Sequence, residues 1–495
     1  MMDTEIELKL FVPAQLTDLL KETLNNIPGA TTQGSHLLVN KYFDTETLVL
    51  RQLKMGLRVR KRDAYREQTI KTAGKVVGGI HSRPEYNVEI NVNEPELSLF
   101  PAHIWPETVN INSINSQLKC IFETNFTRHT WHIYIQDSLI EIAFDEGNVI
   151  AGQLTDPICE LELELLAGDA NALLQLATDI AKSVPLRLGK ASKAQRGYFL
   201  AGKSQAATFA KIGYIALPTD KSLDKTLTTL LETGLERWQL IESILIDTSD
   251  IHQQGLLWSQ LRACVRLLRM TLSQFGLLNQ QVDELFDLLE SDFSFIPALQ
   301  AHCLIVADDG SLLAKSAQKS GVLTSVEQHI EQQQYQAKLA QIWQQAHYGQ
   351  LQLALVELLL NSQQGRHQLV NYPELGLFAN LLQQDSWKRI VDLMPQQADM
   401  SIVDYRQVEQ ALDESILVGF AYGELYLSTE RETFRAPWQD LALGITTLHA
   451  YQCLRQLSHE QQLDLESWLS NKESSLLLAM EHSRKSALNV KPYWK

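Results

Sequence analysis

The feature that most constrains this chain is a short charged strand near its N-terminus, Glu5–Lys9, with the sequence EIELK. Because the side chains of a strand alternate between its two faces, the charged residues share one face and the apolar residues the other. The segment Ile158–Leu165 repeats this pattern, with Glu160, Glu162 and Glu164 on one face. Two acid-lined strands far apart in the sequence predict one site that concentrates negative charge and needs cations to stabilise it.

Basic side chains follow the same alternation in other strands. In the segment Leu57–Arg60, Arg58 and Arg60 share one face, and the apolar residues take the other. Further basic residues at strand positions or just after the last strand are Lys71, Arg83, Arg128 and Lys193. The charged face of one such strand is usually exposed to solvent. Several strands with charged faces, some acidic and some basic, instead indicate that these faces share one interior. We interpret this interior as a cavity for a metal ion and a phosphate chain, because carboxylates bind Mg²⁺ or Mn²⁺ and basic groups bind phosphate.

The first 200 residues or so read mainly as short alternating strands separated by turn residues. A closed barrel of about eight strands could hold such a charged interior, with the apolar strand faces outside and covered by helices. The fold expected here is therefore an α+β domain with an eight-stranded antiparallel barrel. The predicted strands are Glu5–Val12, Lys41–Asp44, Gly56–Lys61, Gln68–Thr72, Tyr86–Val92, Thr127–Gln136, Leu139–Phe144 and Cys159–Leu166.

After about residue 215 the pattern changes to long Leu- and Gln-rich stretches with helical spacing, which predict an all-α bundle of antiparallel hairpins. We place the two domains at residues 1–203 and 216–495, with the boundary in Ala201–Thr219. The predicted helical stretches are Leu223–Ile246, Leu256–Phe275, Gln281–Glu290, Val326–His347, Leu351–Ser362, Leu375–Leu393, Asp404–Tyr422, Trp438–Leu457 and Leu463–His482.

Composition excludes several classes of function. The net charge of −16 over 495 residues disfavours nonspecific nucleic-acid binding, which needs a basic surface. Five scattered cysteines without CxxC spacing indicate neither a structural zinc site nor a disulfide framework. We expect no signal peptide from the opening residues MMDTEIELKL and no membrane span from the hydropathy pattern. The expected compartment is the cytoplasm.

The N-terminal motifs, taken together, resemble the CYTH family of triphosphate tunnel metalloenzymes. The EIELK strand corresponds to the family's ExExK hallmark, and the resemblance covers roughly residues 1–200. The other matching segments, in family order, are Tyr42–Thr45, Leu57–Arg60, Gln68–Lys71, Arg83–Glu85, Arg128, Phe144–Gly147, Glu160–Glu164 and Ser192–Lys193. The resemblance implies an eight-stranded antiparallel tunnel that binds a triphosphate and hydrolyses it with a divalent metal ion, Mg²⁺ or Mn²⁺.

The resemblance also implies roles for individual residues. Glu85 would orient basic neighbours, and Asn87 stands where many relatives carry an acid. The residues implied to act in catalysis are Glu5, Glu7, Lys9, Arg58 and Arg60. Those implied to hold phosphates are Lys9, Arg58, Arg60, Lys71, Arg83, Arg128 and Lys193. The implied metal ligands are Glu5, Glu7, Glu160 and Glu162, with Asp145 and Glu164 as further candidates.

The helical half resembles a CHAD domain, a module often fused to CYTH domains and associated with polyphosphate binding. The segment Gln260–Arg269 is similar to the signature R-V-x-x-R-R-L-R of that module. Two positions depart from it, since Ser259 stands in place of a histidine and Leu267 in place of an arginine. The three arginines of the segment are equally well explained as one side of an amphipathic helix.

The function expected from both resemblances is metal-dependent hydrolysis of inorganic triphosphate to pyrophosphate and phosphate. Two alternatives use the same scaffold, a thiamine triphosphatase and an adenylate cyclase, and the fold alone does not separate them. A third alternative is a polyphosphate-binding module without turnover, in which the helical half binds the polymer. The helical half could also dock a partner protein. Neither nucleic acid nor a membrane is expected as a partner.

Overall fold

The computed structural model of the chain describes residues 3–205, 207–367, 369, 373–395 and 398–495. The chain forms two compact units. The first comprises residues 1–208 together with 343–357, and the second comprises residues 209–342 and 358–495.

The first unit is built on one antiparallel sheet that closes on itself. Along the sheet the strands follow the order β10-β1-β9-β8-β7-β2-β3-β4-β6-β5, where the additional pairing of β1 with β6 closes an eight-stranded barrel. The short strands β5 and β10 lie outside this ring. The strands are β1 (Asp3–Phe11), β2 (Thr31–Asp44), β3 (Gly56–Arg62), β4 (Tyr65–Lys71), β5 (Lys75–Val77), β6 (Ile80–Glu89), β7 (Lys119–Ile135), β8 (Ser138–Ala151), β9 (Leu154–Ala167) and β10 (Arg187–Leu188).

The outer face of the barrel is apolar, as the alternation predicts. Leu8 and Leu10 of β1 and Leu161 and Leu163 of β9 are fully buried. Helix α4 (Asn171–Ala181) packs over β1, β8 and β9. Helix α5 (Lys193–Leu200) contacts β7, β8 and β9 and directs Lys193 at acids of the charged strand face. Burying these leucines under helices stabilises a sheet whose charged face points inward.

Further α-helices of the first unit are α1 (Thr17–Asn26), α2 (Val49–Gln52) and α3 (Ile111–Asn115). The segment 343–357 also belongs to this unit, although the predicted boundaries place it inside the helical domain. This segment is assigned to the first unit because of its contacts there, which its helical sequence pattern does not reveal. The domain boundaries of 1–203 and 216–495 stay a proposal.

The second unit is helical throughout the part that the structure describes. Helix α6 packs on α7, α13 on α14, and α15 on α16, as expected of consecutive hairpins. Its helices are α6 (Leu223–Leu245), α7 (Ile251–Gln274), α8 (Gln280–Asp292), α9 (Ile296–Gly310), α10 (Lys319–Gln333), α11 (Tyr335–Ile342), α13 (Leu375–Leu393), α14 (Ile402–Tyr422), α15 (Ser428–Glu460) and α16 (Glu466–Asn489). Helix α12 (Ala346–Gln363) begins in the segment assigned to the first unit and ends in the second.

The predicted fold class, an antiparallel barrel followed by an all-α region, is confirmed. The sequence pattern did not predict α9, and it joined α10 and α11 into one stretch. A search of the described helices for one both long and apolar enough to cross a bilayer gives no candidate.

Candidate functional site

The interior of the barrel holds a cavity of about 670 Å³. Its walls carry charged side chains of both signs from β1, β3, β4, β6, β7, β8, β9 and α5. All seven basic residues predicted to hold phosphates line it: Lys9, Arg58, Arg60, Lys71, Arg83, Arg128 and Lys193. Four of the predicted metal ligands line it as well: Glu5, Glu7, Glu162 and Glu164.

Strand register explains why these residues meet. Glu7 of β1 lies opposite Glu164 of β9, which lies opposite Glu141 of β8. Two positions further along β1, Lys9 lies opposite Glu162. Since side chains two residues apart point to the same face, each row adds another charged side chain to the interior.

Lys193 connects the acids at one side of the cavity. Its ammonium lies 2.8 Å from carboxylate oxygens of Asp145, Glu160 and Glu162. Arg128 also pairs with two of these acids, at 2.7 Å from Asp145 and 2.6 Å from Glu162. Burial alone would raise the pKa of Glu162, but Lys193, Lys9 and Arg128 hold that pKa well below its usual value.

A second group of ion pairs involves Glu85. Its two carboxylate oxygens lie 3.2 Å from Arg58 and 2.9 Å from Lys71. Lys71 also donates a hydrogen bond to Glu5. Despite burial, the pKa of Glu85 is lowered to about 2 by Arg58 and Lys71, so this acid stays charged and fixes both cations.

Arg60 is only weakly compensated by acids. Its Nε donates to the Oδ1 of Asn40 at 2.8 Å, and its closest acid, Glu67, lies at 3.9 Å. Burial and the nearby Arg58 and Arg128 lower the pKa of Arg60 to about 10. Three guanidinium groups held together in a buried wall form a strong site for an anion.

The acids at the other side of the cavity have raised pKa values, because they are buried next to one another. Burial and the neighbouring Glu5 and Glu141 raise the pKa of Glu164 to about 7. Burial also raises the pKa of Glu5 in spite of Lys71, and Glu7 adds to this effect. The repulsion within this acidic patch would be relieved by a cation.

Two predicted metal ligands lie apart from the cavity wall. Asp145 and Glu160 are fully buried and pair with basic side chains of the protein, which for Glu160 include Arg196 at 2.7 Å. As the side chains stand, no group of three or more His, Cys, Asp or Glu residues within the described part of the chain is arranged to hold a metal ion. Metal ligation by the six predicted acids stays a prediction.

Glu141 and Asn40 are among the polar residues of the site that the sequence reasoning missed. Glu141 lines the cavity and continues the alternation that contains Asp145, so its position in β8 was a usable signal. Asn40 is fully buried, accepts from Arg60 and donates to the carbonyl of Thr124 at 3.3 Å. No local pattern distinguishes this asparagine from a surface residue of a strand.

Comparison with known proteins agrees with this geometry. Residues 3–198 match the family model of the CYTH domain. A stretch of 204 residues is 38% identical to the inorganic triphosphatase of Haemophilus influenzae and covers 40% of this chain. The match spans only 55% of the length of that relative.

Solved structures show weaker likenesses. A candidate adenylyl cyclase from Hippeastrum, described with a dominant triphosphatase activity, is 21% identical over 41% of this chain and 97% of its own, with a TM-score of 0.31. The CHAD domain of Ricinus communis is 18% identical over 57% of this chain and 97% of its own, with a TM-score of 0.44. Likenesses at this level establish no activity for this chain. The family match and the closed charged barrel together identify residues 3–198 as a CYTH domain.

Proposed function

We propose that the first unit hydrolyses inorganic triphosphate to pyrophosphate and phosphate with the help of Mg²⁺ or Mn²⁺. The observation that supports this most directly is the cavity of about 670 Å³ inside the barrel, in which a cluster of arginines and lysines faces an acidic patch. The negative charge of a triphosphate would neutralise the arginines and lysines, and the positive charge of a divalent cation would neutralise the acidic patch. The activity of the Haemophilus relative points the same way.

Phosphate binding is assigned to the basic wall. Arg58, Arg60 and Arg128 present guanidinium groups that suit bidentate binding of phosphate oxygens. Lys71 and Arg83 add charge near the acidic patch, and the remaining phosphate-binding residues are Lys9 and Lys193. Glu85 pairs with both Arg58 and Lys71 and thereby holds the two side chains at a fixed spacing before substrate binds.

The donor set fits a hard divalent cation. Glu5, Glu7 and Glu164 supply carboxylate oxygens next to the phosphate-binding wall, and Mg²⁺ in phosphate sites is commonly held by one or two carboxylates plus substrate oxygens. Glu162 can contribute only by exchanging its contacts with Lys9, Arg128 and Lys193. When bound, the ion supplies Lewis-acid polarisation of a phosphate oxygen and an activated water.

This chain's own residues would provide the rest of the chemistry. Arg60 and Arg128 stabilise the charge that spreads over the equatorial oxygens of the transferred phosphoryl group. Lys9 lies beside that wall, and the pKa of its ammonium is raised by Glu162 and Glu7 although burial opposes its charge. Glu5 and Glu7 act in catalysis as carboxylates of the metal-binding patch.

The assay that tests the proposal measures phosphate release by the full chain from inorganic triphosphate, ATP and thiamine triphosphate, with and without Mg²⁺ or Mn²⁺. Preferred release from inorganic triphosphate, dependent on metal, is the expected result. Preferred turnover of thiamine triphosphate, or cyclic AMP and pyrophosphate from ATP, would assign one of the two other activities. Binding of polyphosphate without any turnover would overturn the proposal.

The cytoplasm is the compartment we propose. All five cysteines are free thiols in the structure, including the exposed Cys120. A reducing compartment is where exposed free thiols are usually kept.

A further inference from the structure

The segment 343–357 packs against the first unit through a set of specific contacts. The ring of Trp343 lies 3.7 Å from the guanidinium of Arg187, which also lies 4.5 Å from the ring of Phe11. The backbone also approaches closely, because a Cβ on Gly349 would lie 1.8 Å from the carbonyl oxygen of Leu186. Only glycine permits this contact between the start of α12 and Leu186, the residue just before β10.

Gln352 makes the central polar contact of this segment. Its side chain is 1% exposed, and its Oε1 accepts a hydrogen bond of 2.9 Å from the backbone N–H of Leu188. β10 pairs with β1 on one side, where Gly189 donates its N–H to the carbonyl of Lys9 at 2.8 Å. Because successive N–H groups of a strand alternate in direction, the N–H of Leu188 points away from β1, and Gln352 satisfies it.

Gly189, the residue that follows β10, lies next to two residues that line the cavity. The Cγ of Lys9 lies so close to Gly189 that an added Cβ would be 2.9 Å from it. The carbonyl of Gly189 also lies 3.4 Å from the Nε2 of His81, a residue that lines the cavity. Lys193 follows four residues after Gly189, at the start of α5.

We infer that Gln352 is a positioning residue for the phosphate-binding wall of the barrel. It acts through Leu188 and Gly189 and fixes the distance between Lys9, His81 and Lys193, without touching the substrate itself. This inference rests on the proposed function, since its main readout is the binding of triphosphate. The segment 343–357, whose sequence pattern predicts a helix of the second domain, thereby contributes to the site of the barrel.

The test compares two variants of the full chain with the parent. Gln352→Leu removes the acceptor, and Gln352→Glu keeps an acceptor oxygen at the same reach. We expect Gln352→Leu to raise the KM for inorganic triphosphate about tenfold, which corresponds to about 1.4 kcal/mol. Its kcat should change less, because Lys9 and Lys193 bind substrate and transition state alike. Gln352→Glu should return the KM to near the parent value.

Gln344→Leu is the matched control, because Gln344 is exposed and lies in the turn just before α12. A KM in Gln352→Leu within twofold of the parent, or an equal rise in Gln344→Leu, would overturn the inference. If Gln352→Leu does not fold, Trp343→Leu takes its place, with a smaller rise in KM expected and an unchanged KM as the contrary result.

A parent protein without any triphosphate turnover would refute the proposed function instead. The inference would then be judged by two measurements that need no turnover, calorimetric binding of inorganic triphosphate and amide hydrogen exchange at Leu188. Weaker binding and faster exchange in Gln352→Leu support it, and equal values in parent and variant overturn it.

Discussion

The cavity of the barrel and a cavity of about 300 Å³ in the helical unit are both lined by arginines and acids, but they differ in how closely the acids pair with the arginines. In the helical cavity Arg262 and Arg266 both donate to Glu290, and Arg266 also lies 3.0 Å from Asp413. Although burial disfavours its charge, these contacts hold the pKa of Arg266 above its usual value. In the barrel, the pKa of Arg60 is instead lowered to about 10.

Arg58 and Arg128 of the barrel also pair with acids, so the difference concerns Arg60. It shows that a cluster of arginines is not by itself an anion site. The helical arginines already have carboxylate partners, and Arg269 likewise pairs with Asp283 and Asp287. A polyphosphate chain would have to displace these acids before it could bind. Arg60 has no such close partner, so an incoming phosphate gains its full attraction. Polyphosphate binding by the helical unit stays a prediction that this pairing disfavours.

The largest expected effect is on stability. Lys193→Met leaves Asp145, Glu160 and Glu162 without their shared cation, and such a break in a buried ion-pair network costs about 3–5 kcal/mol. Arg269→Met in the helical unit breaks partly exposed pairs and should cost less than about 1 kcal/mol. Denaturant unfolding of both variants measures the contrast. Equal losses would show that the two sets of ion pairs do not differ.

The next effect concerns turnover. Glu7→Gln removes a carboxylate from the acidic patch and should lower metal-dependent phosphate release by about a hundredfold or more. Glu290→Gln changes the shared acid of the helical cavity and should leave the rate within about twofold. Steady-state phosphate release with Mg²⁺ and Mn²⁺ checks both variants. Full activity of Glu7→Gln would remove Glu7 from the metal-binding set.

A smaller effect is expected on substrate affinity. Arg60→Gln removes a cation that no close acid neutralises, so the KM for triphosphate should rise about tenfold. The matched variant Arg266→Gln removes a neutralised cation and should leave the KM unchanged. The two KM values, measured side by side at fixed ionic strength, decide the point. A rise in Arg266→Gln would mean that the helical cavity takes part in substrate binding.

The smallest effect is a pH dependence of stability in the helical unit. Burial raises the pKa of Asp413 to about 6 although Arg266 opposes this. Because the folded pKa exceeds the unfolded value, folding favours the protonated acid, and this contribution is complete below about pH 4 and lost as the pH rises through 6. The melting temperature of the full chain, compared with that of Asp413→Asn between pH 4 and 7, should show a gain for the variant that grows with pH. Parallel curves would contradict the assignment.

Much of the barrel could be predicted from the sequence because the information is local. The alternation in β1, β3 and β9 predicts that Glu5, Arg58 and Glu162 lie on the charged strand faces; these residues line the cavity of the barrel, and the barrel itself is confirmed. Asn40 was not predicted because its part in the site is its hydrogen bond with Arg60, which lies opposite it on the neighbouring strand β3. Asp145 and Glu160 are predicted as metal ligands, but their burial behind Lys193 depends on how α5 packs.

The sequence by itself determined which side chains share a face, because a strand repeats every two residues and a helix every 3.6, and both periods are visible in a few neighbouring residues. The tertiary structure alone decided which charges meet. It brought Lys193 from a helix to three acids of the barrel, paired Arg266 with acids of other helices, and placed Gln352 against β10. Ion pairs and close packing act over a few ångströms, so they depend on distances in space that the order of residues does not encode locally.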